Sequence, residues 1–117
     1  MTKIAWNCVG LAALLAVASH SAWAADTSPV AAGRALALDR AMGNCIACHT
    51  MKGGDVPSNV GPELSDFKKR FPDRKELYGI LFDEETRNPR TAMPPFGKNL
   101  ILSPKEIDEV IDFLYTL

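Results

Sequence analysis

The pentad Cys45-Ile46-Ala47-Cys48-His49 constrains this chain more than any other feature. Two thiols three residues apart on one helical turn reach the two vinyl groups on one edge of a haem. The His that follows presents a ring nitrogen to the iron from the same side. The spacing reads as a c-type haem attachment site. Three other uses of the residues compete. A thioredoxin-like redox pair needs a βαβ setting, and no strand alternation is visible here. A structural zinc site usually takes four N or S ligands. A disulfide between Cys45 and Cys48 closes too small a loop to stabilise much.

The first 24 residues belong to a different object. Met1-Thr2-Lys3 is a short cationic start, and Cys8 to Ala18 is an apolar run. Ser19-His20-Ser21 is polar, and Ala22-Trp23-Ala24 supplies an A-x-A site before Ala25. This is the layout of a secretory signal peptide. A membrane anchor needs ~20 apolar residues, more than the run provides. Cys8 lies at the wrong end of the run for a lipoprotein site. The expectation is a cleaved signal peptide over 1–24 and one domain over 25–117, exported to the periplasm.

That division sharpens the inventory. The chain of 117 residues has three Cys and two His, and the leader removes Cys8 and His20. Residues 25–117 keep Cys45, Cys48 and His49 alone, one residue short of a four-ligand zinc set. Losing Lys3 takes the net charge from −1 to −2. Nothing in this balance points to nucleic acid or a membrane surface, and the domain offers no hydrolytic or acid–base constellation.

A lone His leaves Met, Lys, water or nothing for the sixth iron position. Met42 and Met51 are tethered beside the pentad, on the His49 side. Met93 lies far downstream in Asn88-Pro89-Arg90-Thr91-Ala92-Met93-Pro94-Pro95-Phe96-Gly97. Prolines fix φ and stiffen such a loop, so Met93 is the expected second ligand, with Lys98 the lesser alternative. A haem-ligating His normally donates its other ring N–H to a nearby acceptor. The carbonyl of Pro62, in Val60-Gly61-Pro62, suits that role.

The rest reads as helices and loops. Ser28-Pro29 starts a helix expected to run from Val30 to Met42 and to stop at Gly43, with Ala37 and Ala41 as contact positions. Residues 45–49 form a short helix and residues 50–63 a loop. Asp73 with Glu76 predicts a capping box, ahead of a helix presenting Leu77, Ile80 and Leu81. Ser103-Pro104-Lys105-Glu106 predicts a second box, and Ile107, Val110, Ile111 and Leu114 follow helical spacing. The fold class is all-α. Lys68, Lys69, Arg70, Arg74 and Lys75 form the one basic cluster, either a solvated face or a docking surface.

The order C-x-x-C-H, Gly-Pro-x-Leu, late Met in a Pro-rich loop, then a helix resembles the class I monohaem cytochromes c over about residues 30–117. Within that class, Gly43 to His49, Val60-Gly61-Pro62, Arg70-Phe71-Pro72-Asp73 and above all Asn88 to Asn99 are similar to the SoxX family. So is the ending, from Ile101-Leu102-Ser103 to Phe113-Leu114-Tyr115-Thr116-Leu117. Glu63 replaces a frequent second Pro, and Ala41 stands where many class I members carry an aromatic.

The resemblance implies about four helices around one covalent haem c, held by Cys45 and Cys48 and ligated by His49 and Met93. It implies an electron-accepting subunit paired with a SoxA-like cytochrome, whose complex couples thiosulfate oxidatively to a carrier-protein cysteine. The electrons would leave to a downstream cytochrome. A free-standing carrier is the second reading. A ligand-binding or peroxidatic haem protein is the third.

Overall fold

The computed structural model describes residues 26–55 and 57–117. The expected signal peptide over 1–24 lies outside the described residues. Four α-helices are described: α1 (Pro29–Leu38), α2 (Phe67–Arg70), α3 (Arg74–Asp83) and α4 (Pro104–Leu114). Short 3-10 turns cover Cys45–Ala47 and Glu84–Thr86. Extended pairing among the described residues is limited to one bridge, between Met51 and Leu64. The expected all-α class is thus what the described residues adopt.

Helix α4 forms as its sequence predicts. The Ser103 hydroxyl accepts from the Glu106 amide at 3.3 Å, and the Glu106 carboxylate accepts from the Ser103 amide at 2.7 Å. Two of the amides that a helix start leaves orphaned are so satisfied. Ile107, Val110, Ile111 and Leu114 are all buried, and so is Phe113.

Helix α1 crosses α4 at Gly33. A Cβ at that position would lie 1.8 Å from the Glu109 carbonyl oxygen and 2.8 Å from the Val110 nitrogen. Only the absence of a side chain lets the two backbones come this close. Ala37, one turn on, is fully buried.

Helix α1 is shorter than expected, ending at Leu38 instead of Met42. Asp39 ends it in extended backbone. Its carboxylate accepts from the Ala41 amide at 2.7 Å, and its carbonyl accepts from Met42 and Asn44. A short side chain that bonds its local backbone competes with the helix in this way. Ala41 is consequently exposed, not a contact position. Gly43 still folds back, donating to the Leu36 carbonyl at 3.1 Å.

Asp73 caps α3 through the Lys75 amide at 2.8 Å. This is a simple cap, without the return bond from Glu76 that a box requires. Leu77 and Leu81 are buried, while Ile80 is half-buried. The turn α2 does not follow from apolar spacing. It is built by Phe67, which is buried and stacked on Phe71 with ring centroids 5.7 Å apart.

Candidate haem site

The three residues of the attachment motif share one turn. Asn44 takes the left-handed conformation (φ 48°), tolerated by Asn better than by most residues. It opens the 3-10 turn Cys45–Ala47, and the amides of Cys48 and His49 both bond the Cys45 carbonyl, at 3.2 and 2.9 Å. Cys45 and Cys48 carry free, half-buried thiols. Burial pushes the Cys45 thiol up to about 11.

His49 is held by the Gly61-Pro62 segment. Its Nδ1 lies 2.6 Å from the Pro62 carbonyl oxygen. A carbonyl can only accept, so Nδ1 carries the proton and Nε2 keeps a lone pair for a metal. Gly61 lies flat against the ring. A Cβ there would sit 2.4 Å from His49 Cε1. The Gly61 amide also donates to the Cys48 carbonyl at 2.7 Å, locking the segment to the motif.

These residues open onto a cavity of about 810 Å³, within the range of about 300–1,000 Å³ usual for small-molecule and cofactor sites. Its wall takes in Cys45, Cys48, His49 and Pro62 together with Met93, which comes from the loop after α3. Phe67, Leu77, Leu81, Phe96 and Leu114 supply apolar lining from α2, α3, the Met93 loop and α4. Met42 also lines it, whereas Met51 is buried beneath the Leu64 bridge. Lys98 is absent from the wall. Its ammonium is paired with Asp83 and Glu85 instead. The thiols, the imidazole lone pair and the mostly apolar walls fit a covalently held haem.

Residues 30–117 match the cytochrome c family. The chain belongs to that family. Members of this family hold haem c covalently, and Cys45, Cys48 and His49 fit the family's attachment motif. A stretch of 77 residues is 31% identical to an uncharacterized lipoprotein of Aquifex aeolicus (strain VF5), covering 62% of this chain and 36% of that protein. This cytochrome therefore spans about a third of the length of that relative. Among its described residues no helix is long and apolar enough to cross a membrane.

Sequence reasoning missed two site features. Glu84 is 7% exposed and lines the cavity. Both its oxygens are held by Arg87, at 2.9 to 3.2 Å. In sequence, nothing sets Glu84 apart from Asp83 and Glu85 on either side of it. The basic cluster also divides. Arg74 pairs with Asp108 and Asp112 on α4 at 3.0 and 2.7 Å. Arg70 donates to the carbonyls of Glu63 and Ser65 and lies over the Phe67 and Phe71 rings. Arg70 and Arg74 are thus the structural part of the cluster, while Lys68, Lys69 and Lys75 make no ion pair or cation–ring contact among the described residues.

Proposed function

We propose that this cytochrome is a periplasmic monohaem electron-transfer subunit of a SoxAX-type complex, which couples thiosulfate oxidatively to a carrier-protein cysteine. One haem c is held through Cys45 and Cys48. His49 and Met93 would ligate its iron, and Pro62 would orient His49. The observation that carries the electron-transfer reading is the single cavity shared by the Cys45-Cys48-His49 turn and Met93. Bound with His and Met, a haem supplies one-electron exchange at a raised potential with no open position for substrate. The chain's own work is to hold and shield. Pro62 fixes the imidazole proton at Nδ1, Gly61 fixes the ring plane, and the apolar wall excludes water.

Two further observations support the finer assignment. The Asn88–Asn99 segment carries the strongest SoxX resemblance, and Asn88, Arg90, Met93, Pro94 and Phe96 from it all line the cavity. The likeness to a protein described as a lipoprotein supports an exported chain. A SoxA-like cytochrome is the proposed partner.

Met93→Ala tests the ligand assignment. The expected result is loss of the weak red absorption band of methionine-ligated ferric haem, with a lowered midpoint potential. An unchanged band and potential refute Met93. Purification of the tagged protein from its native source tests the complex. Recovery with a second cytochrome subunit supports it, and recovery only as a monomer favours a free-standing carrier.

A further inference from the structure

Asp83 is a buried carboxylate that the haem site does not use. It is 8% exposed and does not line the cavity. One oxygen, Oδ1, accepts from the Glu85 amide at 3.2 Å. The other, Oδ2, lies 3.0 Å from the Lys98 ammonium. A buried carboxylate is tolerated when paired and becomes costly once its partner is removed. Lys98 thus has a structural reason to stay where it is. Its second contact, with exposed Glu85 at 3.2 Å, is weaker by screening.

Lys98 sits five residues beyond Met93. The amides of Gly97 and Lys98 both donate to the Phe82 carbonyl, at 3.1 and 3.2 Å. Gly97 is pressed onto the Phe82 ring so closely that a Cβ would lie 2.1 Å from Cδ2. Pro94 and Pro95 bridge this anchor to Met93, and their fixed φ makes the connection stiff. Whatever frees residues 97 and 98 from the end of α3 therefore loosens Met93 as well.

We infer that the Lys98–Asp83 ion pair is a clasp that holds the Met93 loop against α3 and sets how readily Met93 leaves the iron. Lys98 and Asp83 are positioning residues. They touch neither the cavity nor the site of reaction. The inference rests on Met93 being the second ligand.

The test uses the haem-loaded ferric protein. Imidazole is added, and loss of the methionine–iron absorption band gives the rate at which Met93 is displaced. Lys98→Gln and Asp83→Asn are expected to raise that rate about tenfold, the effect of losing one charge-assisted bond. Lys98→Arg keeps the native rate. Half of the Lys98 side chain is exposed, so added salt speeds the native protein and leaves Lys98→Gln unchanged. A merely structural role would lower the denaturation midpoint without this salt signature. A Lys98→Gln rate within about twofold of native overturns the clasp. Lys98→Gln alters the exposed partner, so it keeps the test valid if Asp83→Asn does not fold.

Amide hydrogen exchange at Gly97 and Lys98 reads the same opening without reference to iron. Both amides must exchange faster in Lys98→Gln. Unchanged exchange refutes the clasp, and so does faster exchange with an unaltered imidazole rate. Failure of the ligand assignment is separate, because Met93→Ala would then leave the band in place.

Discussion

At the scale of single residues, the site is shaped by what Gly61 lacks. Its backbone occupies the space beside His49 that any Cβ would need. Gly61→Ala must push the ring or the loop aside. We expect a loss of about 1–3 kcal/mol of stability, as for overpacking elsewhere. We also expect a raised midpoint potential, because a longer bond from Nδ1 to Pro62 makes the imidazole a less basic ligand. Denaturant titration and redox potentiometry check the two halves. Leu100 shows the opposite economy. It is 88% exposed with φ of 57°, a backbone that Asn adopts more readily than Leu. Leu100→Asn should therefore stabilise the protein by about 0.5–1 kcal/mol, read as a higher denaturation midpoint.

Cys45, Cys48 and His49 were legible because their spacing is itself the chemistry. Pro62 was legible from a rigid Gly-Pro turn beside a His that needs an acceptor. The clearance at Gly61 was not, since no local pattern says which neighbour a glycine will touch. Glu84 was not either. A carboxylate in an acidic run becomes buried only when the chain bends the turn Glu84–Thr86 into a cavity wall and Arg87 follows three residues later to pair with it.

At the scale of elements, α4 is the best specified. Ser103→Ala removes one side of its capping box and should cost about 1 kcal/mol. The Ser103 amide holds the Glu106 carboxyl below the usual glutamate range, helped by the Ser103 hydroxyl. A carboxyl depressed in the folded state contributes stability above its unfolded pKa, and the contribution is lost as pH falls through the folded value. Unfolding free energy should drop on acidification below the usual glutamate range, and Glu106→Gln should flatten that limb in denaturant titrations across acidic pH. Helix α1 was legible at its start, where Ser28 caps it by accepting from the Ala31 amide at 3.2 Å. Its end was not, because Asp39 bonding its own neighbours outweighs the helical spacing that continues to Met42. Turn α2 escaped notice because four residues are too few to show a period. Its partners, Phe71 and the Arg70 guanidinium, act through ring stacking that spacing does not encode.

At the scale of the whole molecule, no single element makes the haem site. Its walls draw on the turn after α1, the Gly61-Pro62 loop, α2, α3, the Met93 loop and the last turn of α4. The α1–α4 crossing closes this set. Gly33→Ala forces a methyl group into the Glu109 carbonyl and should cost about 3 kcal/mol or more. Its loss should appear in haem-loaded protein as a lowered thermal midpoint.

The depth of that crossing in sequence also sets an order of events. In a chain exported N-terminus first, the Cys45-Cys48-His49 turn emerges ahead of α4, and Leu114 cannot complete the cavity until α4 follows. For that interval both thiols are open to a haem-loading enzyme. Afterwards the Cys45 thiol, raised to about 11 by burial, is almost wholly protonated at neutral pH and a poor nucleophile. Thioether formation should thus run faster on the unfolded chain than on the folded apo-protein, as a pulse-labelled haem-attachment assay would show. Two helices that meet late keep the workshop door open while the prosthetic group is fitted.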